Sequence, residues 1–205
     1  MKRMRMYCPA TELRVASEDG KPKITGYAAV FNKLSEELWE NTREMIAPGA
    51  FTNALNRPDD VRALWNHDPN YVLGRNTSGT LLLSEDEQGL KVDITPPETQ
   101  WASDLVESIR RGDVSQMSFG FIPKKESWED KDDGSRVYTV EDVQLFDVSP
   151  VTYPAYPDTE VAVRRLLFDS HTHDETEEND DREAGDRARA RVRLSLKKRH
   201  FDLHR

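Results

Sequence analysis

Short apolar runs separated by turn residues recur from about residue 11 to residue 148, and they leave few folds open to this chain. Each run has the length and the side-chain alternation of a β-strand. Residues 11–31 predict a hairpin around a turn at residues 18–21. Further strands are predicted at residues 44–47, 61–67, 71–75, 80–84, 90–95, 114–123, 136–140 and 143–148. Many short strands favour a barrel or a sandwich.

Two helices are predicted among these strands. The first covers residues 48–55, because Pro48 suits a first helical turn and apolar residues follow at three-to-four spacing. The second covers residues 101–111, with Thr99 as its cap and Gly112 at its end. The expected fold class is therefore mainly β with helices (α+β).

The charge of the chain is distributed unevenly. The chain has 205 residues and a net charge of -9, which argues against general affinity for nucleic acid. Residues 169–186 are rich in Asp and Glu, and residues 187–205 are rich in Arg and Lys. Adjacent acidic and basic blocks with little to bury predict a disordered tail outside the folded domain. Four of the five histidines fall in this tail, where we do not expect catalysis.

Cysteine content and hydropathy indicate the cellular setting. Cys8 is the only cysteine, so an internal disulfide and a thiolate zinc site are excluded. The basic start of the chain is not followed by an apolar run, and no window approaches the length of a membrane span. We therefore expect a soluble intracellular protein.

Ser118 is the first candidate for a reactive group. If its segment is a strand, Met117, Phe119 and Phe121 point into the core while Ser118 points to the outer face. Gly120, two residues along that face, would let another chain approach the hydroxyl. A nucleophile that attacks a peptide needs this access, although an ordinary exposed strand serine fits the pattern too.

His67 is the only histidine inside the predicted domain. It ends a predicted strand beside Trp65, and Pro69 is expected to force the chain out of that strand. A partly wet imidazole at a strand end suits a general base, because its ordinary pKa lies near neutral pH. An ordinary loop histidine is the alternative.

A base of this kind needs a third group that fixes its tautomer. Asp147 is the best candidate, because on a strand it would share a face with Val143 and Leu145 and would be partly buried. It is equally compatible with an acid that ends the strand. Asp68 and Asp113 are weaker candidates.

Five short segments then occur in an order that resembles a known family. They read Gly-Tyr-Ala-Ala-Val-Phe at residues 26–31, Ile-Ala-Pro-Gly-Ala-Phe at 46–51, Leu-Trp-Asn-His-Asp at 64–68, Met-Ser-Phe-Gly-Phe at 117–121 and Asp-Val-Ser-Pro-Val-Thr-Tyr-Pro-Ala at 147–155. Together they resemble the prohead (head maturation) serine proteases of tailed phages, a family similar to herpesvirus assemblin. The likeness covers about residues 10–165, which we take as the protease domain, with residues 166–205 as the charged tail.

The resemblance implies a fold, an activity and a site. The fold would be a small closed or partly closed β-barrel of the herpesvirus-protease type with surrounding helices. The chain would be a serine endopeptidase with Ser118 as nucleophile and His67 as base. The third member is a histidine in herpesvirus relatives and an acid in many phage members, which favours Asp147 here. No metal or organic cofactor would be required.

The resemblance also implies a setting and partners. The protease would act inside the procapsid in the host cytoplasm, cleaving the major capsid protein or a scaffold segment and then itself. A homodimer is compatible with it; a membrane or a specific nucleic acid is not expected. Two other functions remain open: a catalytically inactive β-barrel scaffold protein with a charged docking tail, and a binding module that docks an acidic partner or nucleic acid through its basic tail.

Overall fold

The structure is a computed structural model that describes residues 13–18, 20–35, 37, 41–57 and 59–153, together with the backbone of residues 4–8. The predicted charged tail lies outside the described residues. Ten strands and two helices are described, along with a short 3-10 turn at Asn76–Ser78. The strands are β1 Met4–Cys8, β2 Arg14–Glu18, β3 Lys21–Val30, β4 Thr42–Ile46, β5 Arg62–Trp65, β6 Asp68–Arg75, β7 Leu81–Glu85, β8 Gly89–Ile94, β9 Gln116–Asp130 and β10 Arg136–Val151. The helices are α1 Thr52–Asn56 and α2 Gln100–Arg111.

The described strands form two sheets and not a closed barrel. The first sheet runs β1-β9-β10-β5-β6, with β4 also paired to β10, and the second runs β2-β3-β8-β7. A barrel requires hydrogen bonds between the first and the last strand of one sheet. The described pairings leave β1 and β6 at opposite ends of the first sheet and β2 and β7 at opposite ends of the second. The expectation of a mainly β fold with helices is confirmed. Of the closed or partly closed barrel that the resemblance implies, the closed form is wrong.

The hairpin of β9 and β10 is longer than the sequence predicts. Residues 114–123, 136–140 and 143–148 were expected as three short strands, whereas the structure has two strands of 15 and 16 residues. Most residues in the outer half of β9 are exposed and polar, although Glu126 is partly buried, so this half carries no hydrophobic alternation. Pairing with β10 extends the strand there, as the register from Asp130 opposite Arg136 to Lys125 opposite Asp142 shows.

The core takes side chains from both sheets and from α2. Phe119 packs edge-to-face on Phe51 at 5.4 Å between ring centroids and stacks on Phe121 at 4.9 Å. From α2, Leu105 and Ile109 lie four residues apart on one face of the helix and are buried in the same core. This packing anchors the strand that carries Ser118, because Met117, Phe119 and Phe121 are all fully buried.

The two helices differ from the prediction at their starts. Residues 48–51 form turns, and α1 begins only at Thr52. Thr99 is the residue before α2, but its side chain makes no capping hydrogen bond. Gly112 ends α2 as expected, in the left-handed conformation with φ 82° and with its N–H bonded to the carbonyl of Ile109. Neither helix of the described part has the length and apolarity of a membrane span.

Glu126 on β9 makes the stability of the fold depend on pH. Its burial raises the pKa of the carboxyl from 4.5 to about 7. The folded state therefore holds a proton that the unfolded chain releases, so the stabilisation is complete below about pH 4.5 and is lost as the pH rises through about 7. We expect Glu126→Gln to raise the free energy of unfolding by about 1–2 kcal/mol at pH 8 and to change it little at pH 4.

Urea unfolding at the two pH values checks this prediction. Glu87→Gln, which changes an exposed loop carboxyl, is the matched control and should leave the pH dependence as it is. An unchanged pH dependence in Glu126→Gln would show that Glu126 does not carry it.

Candidate active site

Ser118 lies on the face of β9 that is turned away from the Phe119 and Phe121 rings, as the alternation predicts. That face is not open, however, because Ser118 is only 1% exposed. The expectation of a hydroxyl presented on the outside of the sheet is therefore wrong. One reason for the burial of Ser118 is that His67 lies against it, with its Nε2 2.7 Å from the Ser118 Oγ.

His67 is held in a two-residue turn between β5 and β6. Trp65 pairs with Asp68, and the two residues between them, Asn66 and His67, have φ values of 55° and 57°. Positive φ at both central positions defines the type I′ hairpin turn, where asparagine is favoured and histidine is uncommon. Pro69 does not force the chain out of a strand, as was expected, because it is the second residue of β6. Proline is tolerated there since β6 is the terminal strand of its sheet.

Asn66 forms hydrogen bonds that hold this turn against the end of β10. Its backbone N–H donates to the carbonyl of Pro150 at 3.0 Å. Its side-chain Oδ1 accepts from the backbone N–H of Thr152 at 2.8 Å, and its Nδ2 donates to the Thr152 hydroxyl at 3.3 Å. These bonds fix the position of the following residue, His67, relative to the sheet.

Asp147 reaches the site because β10 has a bulge. Leu145 pairs with Phe121 and Asp147 pairs with Gly120, so Phe146 is the extra residue between them. Opposed residues of an antiparallel pair share a face, so Leu145 faces the core with Phe121 while Asp147 faces the other side with Gly120. The expectation that Asp147 shares a face with Leu145 and Val143 is therefore wrong, because the bulge reverses the alternation.

The three candidate residues form one hydrogen-bonded chain. His67 Nδ1 is hydrogen-bonded to Asp147 Oδ1, and His67 Nε2 to Ser118 Oγ. Because an ionised carboxylate can only accept, we assign the imidazole proton to Nδ1, which leaves the Nε2 lone pair for the serine hydroxyl. The side chains of His67 and Asp147 are 6% and 11% exposed, so both bonds lie in a nearly dry environment. Such an arrangement can transfer the serine proton to the imidazole and stabilise the imidazolium that results.

Ser118 and Asp147 come from neighbouring strands of the first sheet, and His67 comes from the turn that follows the next strand. β10 lies between β9 and β5, with Asp147 opposite Arg62 of β5 in a parallel pairing. The turn at the end of β5 brings His67 to both its partners. The order of the strands therefore explains how residues 80 and 51 positions apart meet.

Ser149 is a site residue that the sequence reasoning missed. Its hydroxyl donates to Asp147 Oδ1 at 2.9 Å, and the residue is completely buried. It is also the cross-strand partner of Ser118. The signal that could have found it is the spacing Asp-Val-Ser, since residues two apart on a strand share a face.

Gly120 has a different role from the one expected. A Cβ built at Gly120 would lie 2.2 Å from Asp147 Oδ2, far inside van der Waals contact. The space beside Gly120 therefore holds the carboxylate of Asp147. The expectation that another chain could approach there is wrong.

The other acidic candidates have partners elsewhere. Asp68 Oδ1 accepts from the backbone N–H and the side-chain amide of Asn70, both at 2.8 Å. Asp113 forms an ion pair with Arg111 at 3.0 Å. Among the described contacts it is Asp147 that meets His67.

The chain is similar to known proteins in sequence and in structure. The model of the caudovirus prohead serine protease family matches residues 10–174 of this chain. No curated protein matches the sequence. Among solved structures the chain is similar to the capsid assembly protease of bacteriophage T4, with 14% sequence identity and a TM-score of 0.47 over 74% of this chain and 99% of that one.

Proposed function

This chain belongs to the caudovirus prohead serine protease family, and on that premise we propose that it cleaves the major capsid protein or a scaffold segment inside the procapsid and then cleaves itself. The chain is thus a serine protease of capsid maturation. The proposed catalytic residues are Ser118 as nucleophile, His67 as general base and Asp147 as the group that orients the base. The observation that carries this proposal is the 2.7 Å bond between Ser118 Oγ and His67 Nε2, with Asp147 bonded to the other ring nitrogen.

The proposed mechanism follows from the protonation of these groups. The Ser118 oxygen attacks the scissile carbonyl while His67 Nε2 accepts the hydroxyl proton. The same proton passes to the leaving amine, which departs and leaves an acyl-enzyme on Ser118. Water, deprotonated in turn by His67, then attacks the acyl carbon, and the new carboxyl end leaves as the Ser118 oxygen takes the proton back from His67. Asp147 holds the imidazole in the correct tautomer throughout.

The hydrogen bonds that join the three residues also support an active enzyme over an inactive scaffold protein. A site that had lost its activity would be under no requirement to keep a serine, an imidazole and a carboxylate within bonding distance in a buried environment. The homodimer and the role of the charged tail stay predictions.

Co-expression with the capsid protein of the same phage tests the proposed substrates. Intact mass measurements of both chains should show a shortened capsid protein and a shortened protease. Assembled particles in which both chains keep their full mass would contradict the proposed function and favour the inactive scaffold protein.

Ser149 gives a further prediction for the same reaction. Ser149→Ala should lower kcat by roughly ten- to a hundredfold with little change in KM, because a hydrogen bond to a charged group contributes about 1.5–3 kcal/mol. The matched control is Ser127→Ala, which removes another serine–carboxylate bond of the same hairpin, to Glu141 at 2.6 Å and away from the site. A loss of kcat that is equal in the two variants would contradict a role for Ser149 in positioning Asp147.

A further inference from the structure

The nucleophile of the proposed protease is not accessible to a substrate in this structure. Ser118 is 1% exposed, and the side chain of its base is 6% exposed. A polypeptide substrate has to bring its scissile carbonyl to about 3–3.5 Å from the Ser118 oxygen. Some part of the chain beside Ser118 therefore has to move before a substrate binds.

The strand that carries Ser118 has two neighbours, and only one of them can leave. On one side β9 pairs with β10, a strand of 16 residues that carries Asp147 and Ser149 of the site. On the other side β9 pairs with β1, a strand of five residues that is the terminal strand of the sheet. Loss of β1 would leave the site residues in place and would expose an edge of β9.

The register places β1 directly beside the nucleophile. β1 is antiparallel to β9, and Tyr7 is the residue opposite Ser118. Opposed Cα atoms of an antiparallel pair lie about 4.5–5.5 Å apart, so a strand in this position brings its peptide groups next to the serine. Extended peptides bind to exposed sheet edges in the same way, through main-chain hydrogen bonds.

We propose that the edge of β9 from Met117 to Phe121 is the binding site for a substrate polypeptide in extended conformation, and that β1 occupies this edge as a built-in competitor. The inference rests on the proposed function, because it gives the binding mode of that substrate. Substrate and β1 exclude each other, so release of β1 activates the protease. A high local concentration of substrate polypeptide, as inside a procapsid, favours that release by mass action.

The native cysteine allows a direct test on the full chain. Cys8 of β1 lies opposite Met117 of β9, within the Cα distance that a disulfide spans. In Met117→Cys, oxidation with diamide should join the two strands, and intact mass verifies the cross-link. We expect the cross-linked chain to react with a fluorophosphonate probe at Ser118 at least tenfold more slowly than the reduced chain, and to stop cleaving the capsid protein. Dithiothreitol should restore both activities.

Two controls make the result decisive. Met117→Cys combined with Cys8→Ser cannot form the cross-link and should react at the same rate before and after diamide. Deletion of residues 1–8 should speed the reaction of Ser118 with the probe. A cross-linked chain that reacts as fast as the reduced one, a cross-link that does not form, or a deletion without effect would each overturn the proposal.

The test also separates this inference from the proposed function. A chain whose Ser118 reacts faster after β1 is released, but which leaves the capsid protein intact, supports the inference about β1 and contradicts the proposed substrate. A chain that cleaves the capsid protein equally well with β1 cross-linked supports the function and overturns the inference.

Discussion

Ser118→Ala is expected to abolish cleavage of the capsid protein. The variant keeps His67 and Asp147 but has no oxygen to attack the scissile carbonyl, so no acyl-enzyme forms. Loss of a triad nucleophile costs roughly a millionfold in kcat in serine proteases, which would put cleavage below detection in co-expression. Intact mass of the capsid protein and of the protease chain measures the effect.

Ser115→Ala is the matched control for this prediction. Ser115 is an exposed serine three residues before Ser118, just ahead of β9, and its replacement should leave cleavage unchanged. Cleavage by Ser118→Ala at the wild-type rate would show that the nucleophile is a different residue.

Gly120→Ala is expected to cause the second largest loss of activity, although glycine has no reactive group. The added methyl group would lie 2.2 Å from Asp147 Oδ2, so the carboxylate has to move. Displacing it breaks the bond to His67 and frees the imidazole to adopt the wrong tautomer. In serine proteases a defect in the triad acid costs roughly ten-thousandfold in kcat, and we expect a loss of similar size here.

A double-mutant cycle distinguishes this mechanism from general damage to the fold. Asp147→Ala alone should lower kcat by a comparable factor, and it also removes the atoms that the new methyl group would meet. Adding Gly120→Ala to Asp147→Ala should then cost little more. If the two losses multiply instead, Gly120 acts independently of Asp147 and the account of this glycine is wrong.

The sequence predicts the parts of the fold that repeat a simple pattern. The hairpin predicted within residues 11–31 is confirmed for its described part, as β2 and β3, and α2 ends at Gly112 as expected, because strand alternation and helix capping are local properties. The outer half of β9 shows no such pattern, because most of its residues are exposed and its extended form depends on pairing with β10. The open sheets could not be distinguished from a barrel, because closure depends on which distant strands pair.

The sequence predicts the residues of the proposed site but not the geometry in which they meet. Strict alternation along the strand places Asp147 on the face of Val143 and Leu145, which is the wrong face. The bulge at Phe146 leaves no signature in the sequence, yet it turns Asp147 from the core to His67. Likewise, the left-handed backbone conformation of His67 cannot be predicted from a single sequence, because the turn requires the pairing of β5 with β6.

Burial of Ser118 is the largest difference between expectation and structure. Periodicity shows which face a side chain takes but not what covers that face. Ser118 is buried in part by His67, which lies 51 residues away in the sequence. The sequence also does not predict that β1 pairs with β9.

The most direct test of the central claim is to map the adduct that a fluorophosphonate probe forms with the wild-type chain. In this reaction the serine oxygen bonds to phosphorus, fluoride leaves and His67 accepts the proton, so the probe reports an activated serine without any knowledge of the substrate. Fragment masses from the peptide that contains both Ser115 and Ser118 identify the labelled residue. The account predicts one adduct, on Ser118, whose formation is lost in His67→Ala. An adduct on another serine, or one that forms on Ser118 at an undiminished rate in His67→Ala, would contradict it.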